Sequence, residues 1–125
     1  MCPAVDPRVS VGREGEALAE GHLRRLGYRL IERRFRLRNG EIDLVMVDGG
    51  TVVFVEVRRR RSERGGDPLE SITSRKRDRL VRAARVFLAR RGLGDRPCRF
   101  DVVAIRDRDR AGPEIRHIAD AFRAE

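Results

Sequence analysis

The sequence predicts one small α/β or α+β domain, in which a single sheet is flanked by helices. Three observations predict this fold class: two segments with helical spacing of apolar residues, two apolar runs joined by a hairpin signal, and a strand pattern after the second helix. The 125 residues are 40% hydrophobic, which is enough for one core. We therefore expect residues 1–125 to form a single domain, with a loose N-terminal arm over residues 1–9.

The first helix is predicted over about 10–26, because Ala19, Leu23 and Leu26 recur on one face and Gly27 is a natural stop signal. Glu16 lies three residues before Ala19 on that face. Its side chain is therefore expected to point towards the core side of the helix rather than straight into solvent.

The second helix is expected from about 71 or 74 to 91, with Lys76 on its inner face. Asp48-Gly49-Gly50 is a strong hairpin signal between two apolar runs. Residues 59–70, RRRSERGGDPLE, lack periodicity and are predicted to form a mobile basic loop. The expected strands are about 28–37, 41–47, 51–58 and 98–106, with a short last strand in EIRHIADAF.

The composition favours a polyanionic partner. Charged residues make up 39% of the chain and the net charge is +9, which favours nucleic acid first and an anionic membrane surface second. A highly charged, merely solvated surface is the alternative. Aromatic residues are only 5%, so contacts with the phosphate backbone are expected rather than stacking on unpaired bases.

The cysteine count and hydropathy indicate the compartment. Cys2 and Cys98 cannot make a disulfide framework, and no apolar stretch has the length of a membrane span. Residues 1–10 lack the apolar region of a signal peptide. We expect a cytoplasmic protein with no membrane partner.

Two carboxylates lie inside the apolar runs of the hairpin. With Gly49-Gly50 as the loop, Asp43 lies directly opposite Glu56, and with Asp48-Gly49 as the loop the two are diagonal neighbours. Both registers place them on one face, whereas a three-residue loop would separate them. Two carboxylates about 4 Å apart repel by about 4 kcal/mol at an effective dielectric near 20. They must share a proton, pair with basic side chains, or bind a metal.

A hard divalent ion such as Mg²⁺ or Mn²⁺ is one answer, because it takes one or two carboxylates and is completed by substrate phosphate oxygens. Pairing with nearby arginines is the other. Arg58 follows Glu56 by two residues and points to the same face. Its guanidinium can stabilise charge on a phosphate or form a salt bridge with Glu56.

Blocks across nearly the whole chain carry a resemblance to a known family: GREGEALAEGHLRRLGYRLIERRFR, GEIDLVMVD, VVFVEVRRR, RFDVVAI and IRHIADAF. The sequence resembles the YraN family of small bacterial proteins, which belongs to the restriction-endonuclease-like superfamily, near the archaeal Holliday-junction resolvases. The resemblance implies an α/β restriction-endonuclease-like fold, with a mixed central sheet of about five strands flanked by helices.

The resemblance also implies a metal site. Matched residue by residue, its ligands are Asp43, Glu56, the carbonyl of Val57, and Glu16 from the first helix. In the superfamily these groups hold Mg²⁺, which activates a water for phosphodiester hydrolysis.

The sequence departs from the superfamily pattern at two positions. Arg58 occupies the lysine position of Asp…Glu-x-Lys, and arginine stays protonated, so it cannot act as a general base. Lys76, the one lysine of the chain, is a candidate for that amine, and a lysine without a catalytic task is the alternative. Arg34 stands where the family pattern usually shows asparagine.

We therefore expect a nucleic-acid-binding protein that acts as a Mg²⁺-dependent endonuclease on branched or structured DNA. A catalytically weak or inactive binding module with the same fold is one alternative, and a basic protein-interaction domain is another. The sequence leaves open whether the protein acts as a homodimer. The arginines expected to hold the phosphate backbone are Arg36, Arg38, Arg59, Arg60 and Arg61.

Overall fold

A five-stranded mixed sheet forms the centre of the molecule, in a computed structural model that describes residues 7–60, 72–108 and 111–123, with side chains from Gly12 onwards. The strand order follows the chain, from β1 to β5, and only β3 and β4 pair in parallel, since α2 connects them. This architecture confirms the predicted fold class. The elements are α1 Pro7–Arg25, β1 Arg29–Leu37, β2 Gly40–Asp48, β3 Thr51–Arg60, α2 Ser74–Arg91, β4 Cys98–Arg106 and β5 Glu114–Phe122.

Two element boundaries differ from the predicted ones. Helix α1 begins at Pro7, so only residues 1–6 of the predicted arm lie outside the described residues. Strand β3 continues to Arg60, because it pairs with β4 as far as Arg106. Residues 59–60 of the predicted loop are therefore strand, and its remainder lies outside the described residues.

The sheet buries a separate apolar cluster on each face. Along β3, Val52 and Phe54 pack on the α2 side, whereas Val53 and Val55 pack on the α1 side, as the two-residue period of a strand requires. The α2 side is aromatic, with Phe87 of α2 in edge-to-face contact with Phe54. Glu56 continues the alternation of Val52 and Phe54, and so it faces α2.

The hairpin register is the one that places the two acids opposite each other. Asp48 pairs with Thr51 around the Gly49-Gly50 loop, and pairing continues to Leu44 and Val55. The ladder stops there, one residue before Asp43 and Glu56. The two strands therefore separate at the predicted acidic positions.

A buried carboxylate ties β5 to the sheet. The Asp101 side chain of β4 is fully buried and accepts hydrogen bonds from Arg99 Nε at 3.0 Å and from the Asp120 backbone N–H at 3.0 Å. His117 Nε2 of β5 lies 2.7 Å from its other oxygen. Burial raises the pKa of Asp101, but the hydrogen bonds from His117, Arg99 and Asp120 outweigh burial and lower it.

Candidate metal and nucleic-acid site

Strand β2 departs from regular alternation at Asp43. Ile42 belongs to the apolar cluster beside α2, and Leu44 belongs to the cluster beside α1, although residues two apart on a strand normally share a face. The ladder with β1 pairs Phe35 with Ile42 and Arg33 with Leu44, so its register is unchanged across Asp43. The strand therefore twists between Ile42 and Leu44, so that the change of face falls at Asp43.

The Asp43 carboxylate lies where the hairpin opens. Its Oδ2 accepts a hydrogen bond of 2.8 Å from the backbone N–H of Val57, in place of a backbone carbonyl. One oxygen each from Asp43, Glu16 and Glu41 lie within 4.8 Å of one another, and we call these three residues the carboxylate trio. The structure thus brings Glu16 of α1 to Asp43, as the sequence predicted for its inward face.

Glu41 was missed by the sequence analysis. It precedes Asp43 by two residues, and that parity was the available signal. The apolar run of β2 drew attention to Asp43 instead, because Glu41 is exposed and reads as an ordinary surface residue.

Burial and nearby charges shift the pKa values of carboxylates in the trio. Burial, followed by the charge of Glu56, raises the pKa of Asp43 to about 8. Burial also raises the pKa of Glu16, although Arg34 opposes this. Glu41 pairs with Arg36 at 3.3 Å. Within the described part of the chain, Asp43 alone in the trio has no ion pair with a basic side chain.

Glu56 is held by cations rather than gathered into the trio. Lys76 Nζ lies 2.8 Å from Glu56 Oε1, and Arg58 Nε lies 3.5 Å from the same oxygen. The Glu56 side chain is only 6% exposed. Lys76 therefore reaches the site from the inner face of α2, as its predicted position allowed, and Arg58 shares the face of Glu56 as expected.

A basic groove lies over these carboxylates. Asp43 and Glu56 both line a cavity of about 890 Å³, and its lining includes more basic than acidic side chains. Arg36 and Arg38 line it, as predicted. The other basic residues lining it are Arg75, Lys76, Arg79 and Arg82 of α2.

The α2 arginines were not predicted as nucleic-acid contacts. Their spacing of four and then three residues places them on one helix face, and that pattern was the missed signal. The backbone contacts were predicted instead in the arginine run after Glu56.

The predicted arginine run lies apart from the groove where it is described. Arg59 points towards α1, where its guanidinium pairs with Asp107 at 2.9 Å and with Glu14 at 3.4 Å. Arg60 is exposed at the end of β3, and Arg61 lies outside the described residues. Neither Arg59 nor Arg60 lines the cavity.

A mixed five-stranded sheet with a helix on each face, and acids where its central hairpin opens, define a protein of restriction-endonuclease-like fold. The chain belongs to the Uncharacterised protein family UPF0102, whose model matches residues 15–105 and which is the YraN family of the sequence resemblance.

Relatives in this family are similar along most of their length. A UPF0102 protein of Geotalea uraniireducens is 50% identical over 113 residues, which cover 90% of this chain and 89% of the relative. One from Symbiobacterium thermophilum is 47% identical over 91% of this chain and 97% of its own length. One from Stutzerimonas stutzeri is 56% identical over 77% and 81%. No helix among the described residues is both long and apolar enough to cross a membrane.

Proposed function

We propose that this protein binds DNA in the groove between the β1–β2 turn and α2, and hydrolyses phosphodiester bonds of branched or structured DNA with Mg²⁺ or Mn²⁺. One observation carries the proposal. A carboxylate without a basic partner among the described residues, Asp43, lies among other carboxylates in a cavity lined by arginines. The arginines that line the same cavity offer positive charge to a polyanion beside this carboxylate.

The residues present fit a hard divalent cation. Glu16, Glu41 and Asp43 each offer one oxygen within a common region, and carboxylate oxygens are the ligands that Mg²⁺ and Mn²⁺ prefer. The superfamily pattern adds the Val57 carbonyl and Glu56. A bound Mg²⁺ supplies Lewis-acid activation of a water and of the phosphate.

The protein's own groups position the substrate. Lys76 and Arg58 hold the Glu56 carboxylate on the groove side of β3, and both present positive charge where a phosphate would carry negative charge in the transition state. Arg36, Arg38 and the α2 arginines line the route of the backbone. We extend the predicted backbone contacts to these α2 residues.

A DNA-binding module without cleavage is the second candidate function. It is favoured by the ion pairs already present in the site. Arg34 pairs with Glu16, and both Arg58 and Lys76 pair with Glu56. In that case the groove binds DNA and the carboxylates contribute no chemistry.

The test is incubation of the protein with duplex, flap and four-way-junction DNA while Mg²⁺ or Mn²⁺ is titrated. We expect metal-dependent cutting of at least one branched substrate. Absence of cutting by wild type, together with cutting by Arg58→Lys, would instead support the binding module. If the protein neither binds nor cuts any of these DNA substrates, both candidate functions are wrong.

The α2 arginines give a separate prediction for binding. Arg79→Ala is expected to lower the slope of log affinity against log salt by about one, because each phosphate contact releases about one counterion. Arg85, which is on the same helix, is exposed and does not line the cavity, so Arg85→Ala is the matched control. Fluorescence anisotropy over a salt series measures both. Equal slope changes in the two variants would mean that α2 is not the contact surface.

A further inference from the structure

Arg34 occupies an unusual position directly across from Asp43. It lies on β1 between the ladder pairs Arg33–Leu44 and Phe35–Ile42, so its partner position on β2 is Asp43. Its φ is 51°, in the left-handed region that residues other than Gly, Asn and Asp seldom adopt. Such conformations persist where the surroundings enforce them, and they concentrate at functional sites.

The side chain of Arg34 reaches into the carboxylate trio. Its Nε donates a hydrogen bond of 2.9 Å to Oε2 of Glu16, and no second donor of Arg34 contacts that carboxylate among the described residues. The Arg34 side chain is 28% exposed, whereas that of Glu16 is 14% exposed. The guanidinium therefore holds Glu16 at one point, and the Arg34 side chain is partly open to water.

The neighbouring arginine provides a contrast. Arg33 holds Glu20 with two hydrogen bonds, at 2.6 and 2.9 Å, and Arg24 joins the same carboxylate. Glu20 lies one helical turn from Glu16 and is outside the trio. The two arginines thus make two different kinds of ion pair, one with two donors and one with a single donor.

We propose that Arg34 is a built-in counter-ion of the carboxylate trio, and that it sets the affinity of the trio for divalent cations by competing for Glu16. This inference rests on the proposed function, since it concerns the same carboxylates. A divalent cation and a guanidinium repel at such short range, so a bound cation requires Arg34 to leave Glu16. Departure costs a single charge-assisted hydrogen bond, because Arg34 holds Glu16 with one donor and is already partly in water.

Arg34 therefore raises the concentration of divalent cation that is needed to fill the site. At low divalent concentration the trio keeps Arg34, and the groove binds nucleic acid without a metal. At higher concentration the cation replaces Arg34, and the released guanidinium adds to the positive charge available for phosphate.

The test measures Mn²⁺ binding to the full chain by isothermal titration calorimetry, with no DNA present. Arg34→Asn removes the guanidinium and tolerates the left-handed backbone. We expect it to tighten the Kd for Mn²⁺ about tenfold, the effect of losing one hydrogen bond to a charged group. Arg34→Gly, which also relieves the backbone, is expected to show the same change.

Arg33→Asn is the matched control, because it removes the same charge from the adjacent residue and leaves the trio intact. It is expected to bind Mn²⁺ as wild type does. An unchanged Kd in both Arg34 variants overturns the inference. Equal tightening in Arg33→Asn also overturns it, since the cause would then be net charge alone.

Asp43→Asn separates this inference from the proposed metal site. If Mn²⁺ binding is lost in Asp43→Asn but unaffected by the Arg34 variants, the metal site holds and the role of Arg34 fails. Asp43→Asn could instead bind Mn²⁺ as wild type does, and the Asp43→Asn/Arg34→Asn double variant as Arg34→Asn does. The cation then lies elsewhere, and both the proposed metal site and the role of Arg34 fail. Absence of Mn²⁺ binding in every variant likewise overturns both.

Discussion

Asp43→Asn is expected to reduce metal-dependent DNA cleavage by about 100-fold or more, while DNA binding stays intact or becomes tighter. Asp43 lies at the centre of the trio and hydrogen-bonds to the backbone N–H of Val57. Asparagine keeps one oxygen for that hydrogen bond but removes the charge that a cation needs. At pH values above the folded-state pKa of about 8, the loss of this negative charge also lowers repulsion of the DNA backbone. Cleavage is measured on the branched DNA that wild type cuts, and binding is measured without metal.

The same substitution is expected to raise the free energy of unfolding near neutral pH. The folded-state pKa of Asp43 is about 8, because of burial and the Glu56 charge, whereas an unfolded chain shows a value of about 4. Between these two values the folded state keeps a proton that the unfolded state has released. The contribution of Asp43 to stability is therefore greatest below about pH 4 and declines as pH rises towards about 8.

Asparagine does not titrate, so the advantage of the variant should grow across that interval. Urea unfolding at a series of pH values checks this. Asp78 lines the same cavity and lies outside the trio, so Asp78→Asn is the matched control for cleavage. Cleavage by Asp43→Asn at the wild-type rate would contradict the assignment of Asp43 to the metal site. A large loss of stability in Asp43→Asn would mean that the carboxylate is structural.

Asp101→Asn is expected to lower the free energy of unfolding by about 2–4 kcal/mol. The carboxylate is fully buried and accepts from Arg99 and from the Asp120 backbone, with His117 on its second oxygen. An amide in its place turns an NH₂ group towards these donors and leaves the Arg99 charge without its buried partner. Urea unfolding of the two proteins at neutral pH measures the difference.

The contribution of Asp101 to the free energy of unfolding depends on pH with the opposite sign to the contribution of Asp43. Hydrogen bonds hold the pKa of Asp101 below its usual range despite burial. Its contribution is therefore present above the unfolded pKa of about 4 and is lost as pH falls through the lower folded value. Wild type should lose this stability on acidification, whereas Asp101→Asn should show a shallower acid decline.

Asp48 supplies the control, because it also pairs with Arg99, at 3.1 Å, but its side chain is 44% exposed. Asparagine, like aspartate, is favoured at the residue that precedes the two central residues of a turn, so Asp48→Asn removes the charge with little effect on the turn. It should cost less than about 1 kcal/mol, as exposed ion pairs do. Equal decreases in the free energy of unfolding of the two variants would show that Asp101 contributes no more to stability than an exposed ion pair with Arg99.

The sequence predicted the central features of the site because they depend on short-range periodicity. The two-residue period was sufficient to predict that Asp43 and Glu56 are neighbours for either two-residue loop, and the structure has the register with the Gly49-Gly50 loop. The helical period was sufficient to turn Glu16 inwards. Each of these inferences needed only the spacing of residues within one element or one hairpin.

The remainder of the site depends on how elements meet. The family resemblance grouped Glu56 with the metal ligands, but its preference for Lys76 follows from the position of α2 on the sheet. The twist at Asp43 and the left-handed Arg34 break the alternation on which strand reasoning relies. Arg59 was expected on the groove, yet parity places it on the other face of β3, beside Asp107.

The sheet order has a consequence for how the chain folds. Every strand of the described sheet pairs with the strand before it in the sequence, and three of the four ladders join strands that lie close together along the chain. Strands β1 to β3 can therefore pair one after another as the chain leaves the ribosome. The ladder between β3 and β4 must instead close the crossover through α2, and we expect that step to limit the folding rate.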